Sequence, residues 1–340
     1  MTGIIPIVSA VSGLLVSFLL GFVVIPYLHK LKFGQTILDI GPKWHKNKQG
    51  TPTMGGILIF VGTAVGIAVG IATALLSKNS KLIAEIKGGV KGNFLWAGLC
   101  LAIGMGLIGF IDDYIKVVKK RNLGLTARQK TALQLLVSAG YLASLALSGM
   151  SSTWIPFVGE VDILHGFGLI FWVIALFFIY GFTNAVNLTD GIDGLAASVT
   201  TVVSCTFMLL AGFLRFYGTN VFAAALAGAA VGFFIWNSHP AKVFMGDTGS
   251  MFLGGAVVAL SFGIGRPILL ILAGLVYLLE ALSVILQVAY YKKTKKRLFK
   301  MSPIHHHFEL SGWSEEKIDF VFSFVTLIVC VLAAVLALKC

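Results

Sequence analysis

Charge is what this chain has least of: of 340 residues, only 12% are Asp, Glu, Lys or Arg, about half the share of a soluble globular domain. So few charges cannot clothe a water-facing surface, which excludes a soluble enzyme. Acid is scarcer still, 14 Asp plus Glu against 26 Lys plus Arg, so each carboxylate beside an apolar run needs a reason. The four cysteines, Cys100, Cys205, Cys330 and Cys340, show no C-x-x-C or other paired-ligand spacing, which argues against a zinc ribbon or a redox motif. Cys340 is the last residue rather than the fourth from the end, so it is no prenylation signal. The apolar residues do not alternate as barrel strands do, and no internal repeat, inverted symmetry or low-complexity linker divides the chain. A net charge of +12 would suggest nucleic acid in a soluble protein. Here no basic groove interleaved with aromatics accompanies it.

What the chain has in quantity is long apolar runs. Mean hydropathy is +0.93, and runs lie near 4–28, 54–76, 94–111, 132–150, 167–186, 195–214, 221–236, 249–264, 268–291 and 318–338. Because roughly 20 residues cross a bilayer, they predict an all-α polytopic integral membrane protein of about ten transmembrane helices, one domain over 1–340. The first run lacks a basic n-region and is too long for a signal h-region, so it reads as a retained span. Residues 154–164 read as two short strands around Gly159. Segments 29–53, 112–131, 187–194, 237–248 and 292–317 share one side and hold 19 of the 26 Lys and Arg. By the positive-inside rule that side is cytoplasmic and both termini face outward. Lys78, Lys81, Lys87 and Lys91 on the outer side argue the other way.

The cytoplasmic side holds nearly every unusual polar residue. In GFIDDYIKVVKKR, Asp112 and Asp113 sit where a helix leaves the apolar layer. Adjacent carboxylates repel unless a cation shares them, and Lys116 lies on the same face as Asp112. A solvated helix end is the plainer reading, but the dipole disfavours acids at a helix C-terminus. In FTNAVNLTDGIDGLA, Asn187, Asp190 and Asp193 are spaced by three, so a helical stretch would put neighbours on one face; Gly191 and Gly194 permit close approach of a ligand or simply a turn. In WNSHPAKVFMGDTGS, Asp247 opens a helix, where it either serves a phosphate site or caps the helix, a role open to Ser250 as well. Asn237 and Lys242 add an amide able to read a base or sugar and a phosphate partner.

The last cytoplasmic loop contains His305, His306 and His307 after a basic run that suits anionic headgroups. Three histidines with no cysteine and distant aspartates fit phosphate or acid–base work with a hard cation better than zinc. The first loop carries Lys43, His45, Lys46 and Lys48 before GTPTMGG, by default a solvated basic loop. Glu280, mid-helix, is an expensive carboxylate, either functional or an interhelical bond. Five aspartates at one face with Lys, His, Asn and glycine loops make a site for a Mg²⁺-bound phosphate, where positioning and charge neutralisation do most of the chemistry. At a membrane face, one substrate should be soluble and the other a lipid.

These residues carry a resemblance. HKNKQGTPTMGG (45–56), DDYIK (112–116), LTARQK (125–130), NLTDGIDGLA (187–196), NSHPAKVFMGDTGS (237–250) and PIHHHFELSGW (303–313) resemble the phospho-N-acetylmuramoyl-pentapeptide-transferases. That family is a bacterial branch of the polyprenyl-phosphate N-acetylhexosamine-1-phosphate transferase superfamily, of glycosyltransferase family 4 type. The match spans nearly the whole chain in the family's order, with no departure at the catalytic motifs.

The resemblance implies an inner-membrane enzyme of peptidoglycan synthesis with a cytoplasmic active site. It would transfer phospho-MurNAc-pentapeptide from UDP-MurNAc-pentapeptide to undecaprenyl phosphate with Mg²⁺, giving lipid I and UMP, as a homodimer. It further implies Asp247 as Mg²⁺ ligand, Asp112 as base or nucleophile, and Asp113 as its support. Asn187, Asp190, Asp193 and Asn237 would line the nucleotide region, with Lys48, Thr53, Lys116, Lys130, Gly194 and Lys242 as further substrate contacts. His305, His306 and His307 would complete the pocket.

The runner-up is a GlcNAc-1-phosphate transferase, disfavoured by PIHHHFE and GTPTMGG. A proton-coupled transporter is more remote, since it predicts midplane acids and inverted repeats. A DDxxD prenyl-diphosphate site is absent, because Lys116 holds the fifth position, and DGIDGLAA lacks the arginine and later aspartates of CDP-alcohol transferases.

Overall fold

The computed structural model describes residues 3–30, 48, 50–118 and 124–339; Lys43, His45, Lys46 and Cys340 lie outside the described residues. In chain order its first helices are α1 (Ile4–Lys30), α2 (Gly56–Leu76), α3 (Ser80–Ile86), α4 (Gly89–Val118), α5 (Ala127–Leu147), α6 (Ile170–Thr189) and α7 (Leu195–Phe213). There follow α8 (Tyr217–Asn237), α9 (Gly246–Phe262), α10 (Leu269–Ala273), α11 (Leu275–Thr294), α12 (Ile304–Glu309) and α13 (Glu315–Lys339). Among the described residues, nine of these are long and apolar enough to cross a membrane: α1, α2, α4, α5, α6, α7, α8, α11 and α13. The predicted run at 249–264 is α9, whose 17 residues make a rod of only about 26 Å at 1.5 Å per residue. It is buried inside the bundle from Thr248 to Phe262, so protein rather than lipid surrounds it. The run predicted at 268–291 is broken at Gly274 into α10 and α11.

The bundle is amphipathic in the inverted sense that lipid demands. Along α1 the buried positions Ile5, Ser9, Gly13, Ser17, Gly21 and Ile25 recur every fourth residue and are mostly small. Ile7, Val11, Leu15, Leu19, Phe22 and Val23 face outward. Large apolar side chains lose nothing in acyl chains, while small ones let backbones approach and pack, which is what holds membrane helices together. Helix α8 follows the same rule, with an Ala- and Gly-rich run buried from Val221 to Ala230 at the centre.

The expected hairpin forms from β1 (Ser152–Ile155) and β2 (Gly159–Asp162), antiparallel, with Ser152 opposite Asp162 and Ile155 opposite Gly159. The Arg266 guanidinium lies 4.2 Å from the Trp154 ring centre, tying the hairpin to the α9–α10 connection. At the same end, Glu85 of α3 substitutes for an N-cap on α8. The N-cap residue Phe216 has no side-chain acceptor, and the Tyr217 and Gly218 N–H groups donate instead to Glu85 Oε2 at 3.0 Å and Oε1 at 2.8 Å. Helices that alternate in direction then deliver the ends of α4, α6 and α8, and the starts of α5, α7, α9 and α13, to the opposite end of the bundle.

Candidate active site

Two backbone features bring the first carboxylates together. Helix α4 has 30 residues, about 45 Å, longer than a hydrocarbon core of about 30 Å, so its last turns project from the apolar layer. It lies against α9 at Gly109, where a Cβ would sit 2.0 Å from the Asp247 carbonyl oxygen; only glycine allows this approach. One turn later come Asp112 and Asp113. The chain enters α9 along the segment before α2: Phe244 N–H donates to the Pro52 carbonyl at 2.8 Å, and Gly55 and Gly56 N–H to the Phe244 and Met245 carbonyls at 2.8 and 2.9 Å. Gly246 then turns at φ +71°, and a Cβ there would lie 2.6 Å from Asp113 Oδ2 and 2.8 Å from Thr53 Oγ1. Thr53 is thereby held at the edge of the cluster.

Oxygens of Asp112, Asp113 and Asp247 lie within 4.8 Å of one another. Lys116 Nζ is shared among them, 2.6 Å from Asp112 Oδ2, 2.9 Å from Asp247 Oδ2 and 3.9 Å from Asp113 Oδ1. Lys130, one turn into α5, reaches Asp247 Oδ2 at 2.9 Å. Asn187, near the end of α6, donates to Asp247 Oδ1 at 2.9 Å and to Ser250 Oγ at 2.8 Å. Asp112 Oδ1 also accepts the Leu125 N–H at 2.8 Å. Asp113 Oδ2 accepts both the backbone N–H of Thr248, at 2.8 Å, and its hydroxyl, at 2.7 Å. Capping of α9 therefore comes from α4, not from Asp247 or Ser250. Asp247 is the most open of the three carboxylates, with 19% of its side chain accessible against 4% for each of the others.

Asp190 joins this cluster and Asp193 leaves it. Residues 190–194 form turns rather than helix, so the expected shared face does not exist. Asp190, the C-cap of α6, donates its backbone N–H to the Asn187 carbonyl at 3.3 Å, but its carboxylate has no hydrogen-bond or ion-pair partner among the described residues. Burial, with Asp247, Asp113 and Asp193 nearby, pushes its carboxyl well above the ordinary carboxylate range. A buried acid facing other acids is where a cation gains most.

Asp193 belongs to a second cluster. Its Oδ1 pairs with Lys48 Nζ at 2.8 Å, and its Oδ2 meets His239 Nδ1 at 3.1 Å and the Ala241 N–H at 3.0 Å. Lys48 also pairs with Glu315 Oε2 at 2.6 Å, and that oxygen accepts the Asp193 N–H at 3.0 Å. Asp193, His239 and Glu315 are close enough to hold a metal ion, and the Lys48 ammonium pairs with both carboxylates. Asn237 is buried, accepting the Gly194 N–H at 3.1 Å and donating to the Val243 carbonyl at 2.9 Å; its amide braces two loops. Lys242 lies away from the carboxylates, its Nζ 5.1 Å from the Trp236 ring centre.

The three histidines diverge. His305 is fully buried with Nδ1 3.0 Å from Glu280 Oε2. His306 Nδ1 meets Glu309 Oε2 at 2.5 Å, and His307 Nδ1 accepts the Lys300 N–H at 3.2 Å. Sequence reasoning passed over Thr248, His239 and Glu315. The only signals for them were position: Thr248 follows Asp247, His239 lies in the quoted NSHPAK loop, and Glu315 opens the last helix.

The site as a whole offers hard oxygen donors for a cation and two lysines for phosphate at the end of a membrane bundle. A family profile described as "Glycosyl transferase family 4" matches residues 95–264, which include both clusters' aspartates and Lys116 and Lys130. A second, "Phospho-N-acetylmuramoyl-pentapeptide-transferase signature 1", matches residues 48–60, from Lys48 into α2. Curated relatives named "Phospho-N-acetylmuramoyl-pentapeptide-transferase" from Bacillus thuringiensis (strain Al Hakam) and Bacillus cereus (strain AH187) are each 43% identical over 326 residues. The alignment covers 96% of this chain and 96% of each relative.

Proposed function

The chain belongs to the phospho-N-acetylmuramoyl-pentapeptide-transferase family, and from that premise we propose that it transfers phospho-MurNAc-pentapeptide from UDP-MurNAc-pentapeptide to undecaprenyl phosphate. An oxygen of the lipid phosphate attacks the sugar-bearing phosphorus, the bond to the UMP oxygen breaks with its electron pair leaving on UMP, and lipid I forms. The observation that carries this reading is the set Asp112, Asp113 and Asp247 with Lys116 and Lys130 at the end of an apolar bundle. There, a soluble nucleotide and a lipid phosphate can meet.

The donor set fits Mg²⁺: all carboxylate oxygen, with the unpartnered Asp190 adding negative charge close by, as expected for a hard cation that keeps waters and substrate phosphates among its ligands. Asp247, the most open of the three, would hold it, and the ion when bound neutralises phosphate charge. Lys116 and Lys130 present their ammonium groups beside it to the phosphates. Asp112 takes the proton from the lipid phosphate. Asn187 fixes the Asp247 carboxylate through Oδ1, and Asp113 holds the start of α9 in register with α4. Lys48, bound by Asp193 and Glu315, would secure the loop on the nucleotide side. The bias of Lys and Arg supports a site on the cytoplasmic face of the bacterial inner membrane, in a homodimer as the family likeness suggests.

The test is purified protein in detergent with both substrates, with and without Mg²⁺. UMP release that needs both substrates and the ion is the expected result. Incorporation from UDP-GlcNAc but not from UDP-MurNAc-pentapeptide would transfer the activity to the GlcNAc-1-phosphate branch. Substrate flux in proteoliposomes without UMP release would indicate a transporter.

A further inference from the structure

Glu280 is fully buried on α11, inside a membrane-spanning segment where an ionisable group costs several kcal/mol unless it is paired. Its Oε2 gathers two contacts from one residue, the backbone N–H of His305 at 3.4 Å and the His305 Nδ1 at 3.0 Å. The pairing suits a ring proton on Nδ1 donated to Oε2. Nε2, by contrast, is buried without a partner, as is Glu280 Oε1.

The far edge of the ring rests on the turn between the two acidic clusters. A Cβ at Gly191 would lie 2.2 Å from Nε2 and 2.5 Å from Cε1. No side chain larger than hydrogen fits at 191 with the ring in this place. Gly191 lies between Asp190, which faces the first cluster, and Asp193, which is bound into the second. A path of direct contacts therefore runs from Glu280 through the imidazole to the backbone that sets both aspartates.

We propose that Glu280 is a positioning residue for the transferase reaction: it holds His305 in the Nδ1–H tautomer and against Gly191, and the ring in turn fixes the Asp190–Asp193 turn. His305 acts from beneath the site, not on the phosphates. The proposal rests on the transferase reading, yet the tautomer is measured without turnover.

The test uses full-length chain in detergent, ¹⁵N-labelled at histidine, with the His305 signals identified by their loss in His305→Asn. Wild type should show a protonated Nδ1 and a bare Nε2. Glu280→Ala should move the proton to Nε2, whereas Glu280→Gln, whose amide oxygen still accepts, should keep it on Nδ1. A displaced turn lowers kcat by about 100-fold with the nucleotide KM within about threefold, and Glu280→Gln recovers kcat to within about tenfold of wild type. Gly191→Ala should lower kcat comparably, and it tests the contact even where Glu280→Ala does not fold. An Nε2–H tautomer in wild type, an unchanged kcat in Glu280→Ala or Gly191→Ala, or a loss confined to KM each overturns the proposal. A wild type that releases no UMP would instead overturn the transferase reading and leave the tautomer result standing.

Discussion

Replacing Asp113 separates what its carboxylate does for the fold from what it does for the site. Both donors of Thr248 end on the same oxygen, Oδ2, at 2.8 and 2.7 Å, and both residues are buried. In Asp113→Ala two buried donors lose a charged acceptor, at about 1.5–3 kcal/mol each, so about 3–6 kcal/mol in all. At about 2 °C per kcal/mol for a chain of this size, the apparent Tm should fall by roughly 6–12 °C. Asp113→Asn behaves differently, because one amide oxygen can accept both hydrogens; its Tm should stay within about 2 °C of wild type. What the Asn variant loses is charge. Lys116 Nζ lies 3.9 Å from Oδ1, a Coulomb attraction of about 4 kcal/mol at an effective dielectric constant of 20. The lysine side chain is 36% accessible and has two closer carboxylates, so screening leaves about 1–2 kcal/mol, roughly tenfold in rate. Thermal melting in detergent and UMP release, measured on the same preparations, give both numbers. If Asp113→Asn melts as low as Asp113→Ala, the trans-cap is not what Asp113 provides; if Asp113→Ala melts with wild type, the cap is idle.

Other outcomes follow from the same geometry. Asp247→Ala strips Lys116, Lys130 and Asn187 of a shared partner; UMP release and its dependence on Mg²⁺ should disappear, and ordinary turnover would remove the metal assignment. Asp112→Asn should cut turnover while nucleotide binding, read by calorimetry, survives; loss of binding alone would count against Asp112 as base. Burial raises the Glu85 carboxyl above its ordinary range even though the Gly218 and Tyr217 N–H groups pull it down. A raised carboxyl binds its proton more tightly folded than unfolded, so its contribution is full below the ordinary range and is lost as pH rises through the raised value. Glu85→Gln should flatten the part of the melting profile that lies above the ordinary carboxylate range, and an unchanged slope would show that Glu85 does not titrate in the fold.

Sequence alone determined the partition of this chain between lipid and water. A scarcity of charge and ten apolar runs gave the membrane bundle, and the DDYIK spacing gave the Asp112–Lys116 pair, now seen at 2.6 Å. Such features are local: one turn of helix fixes which residues share a face. Only the tertiary structure decided the pairings between distant segments. Thr248 finds Asp113 across 135 residues and Lys48 finds Glu315 across 267, in each case because helices pack closely enough to bring their ends together.

The same packing gives several of the expected site residues structural partners. Asn237 spends its amide on two loops, Lys242 covers Trp236, and His305 reaches down to Glu280. Glycines at 191 and 194 broke the helical spacing that would have kept Asp190 and Asp193 on one face. Periodicity records which residues avoid lipid and which avoid water. Which buried acid meets which cation depends on interhelical contact, and α9, buried in protein from Thr248 to Phe262, is the element around which those contacts are set.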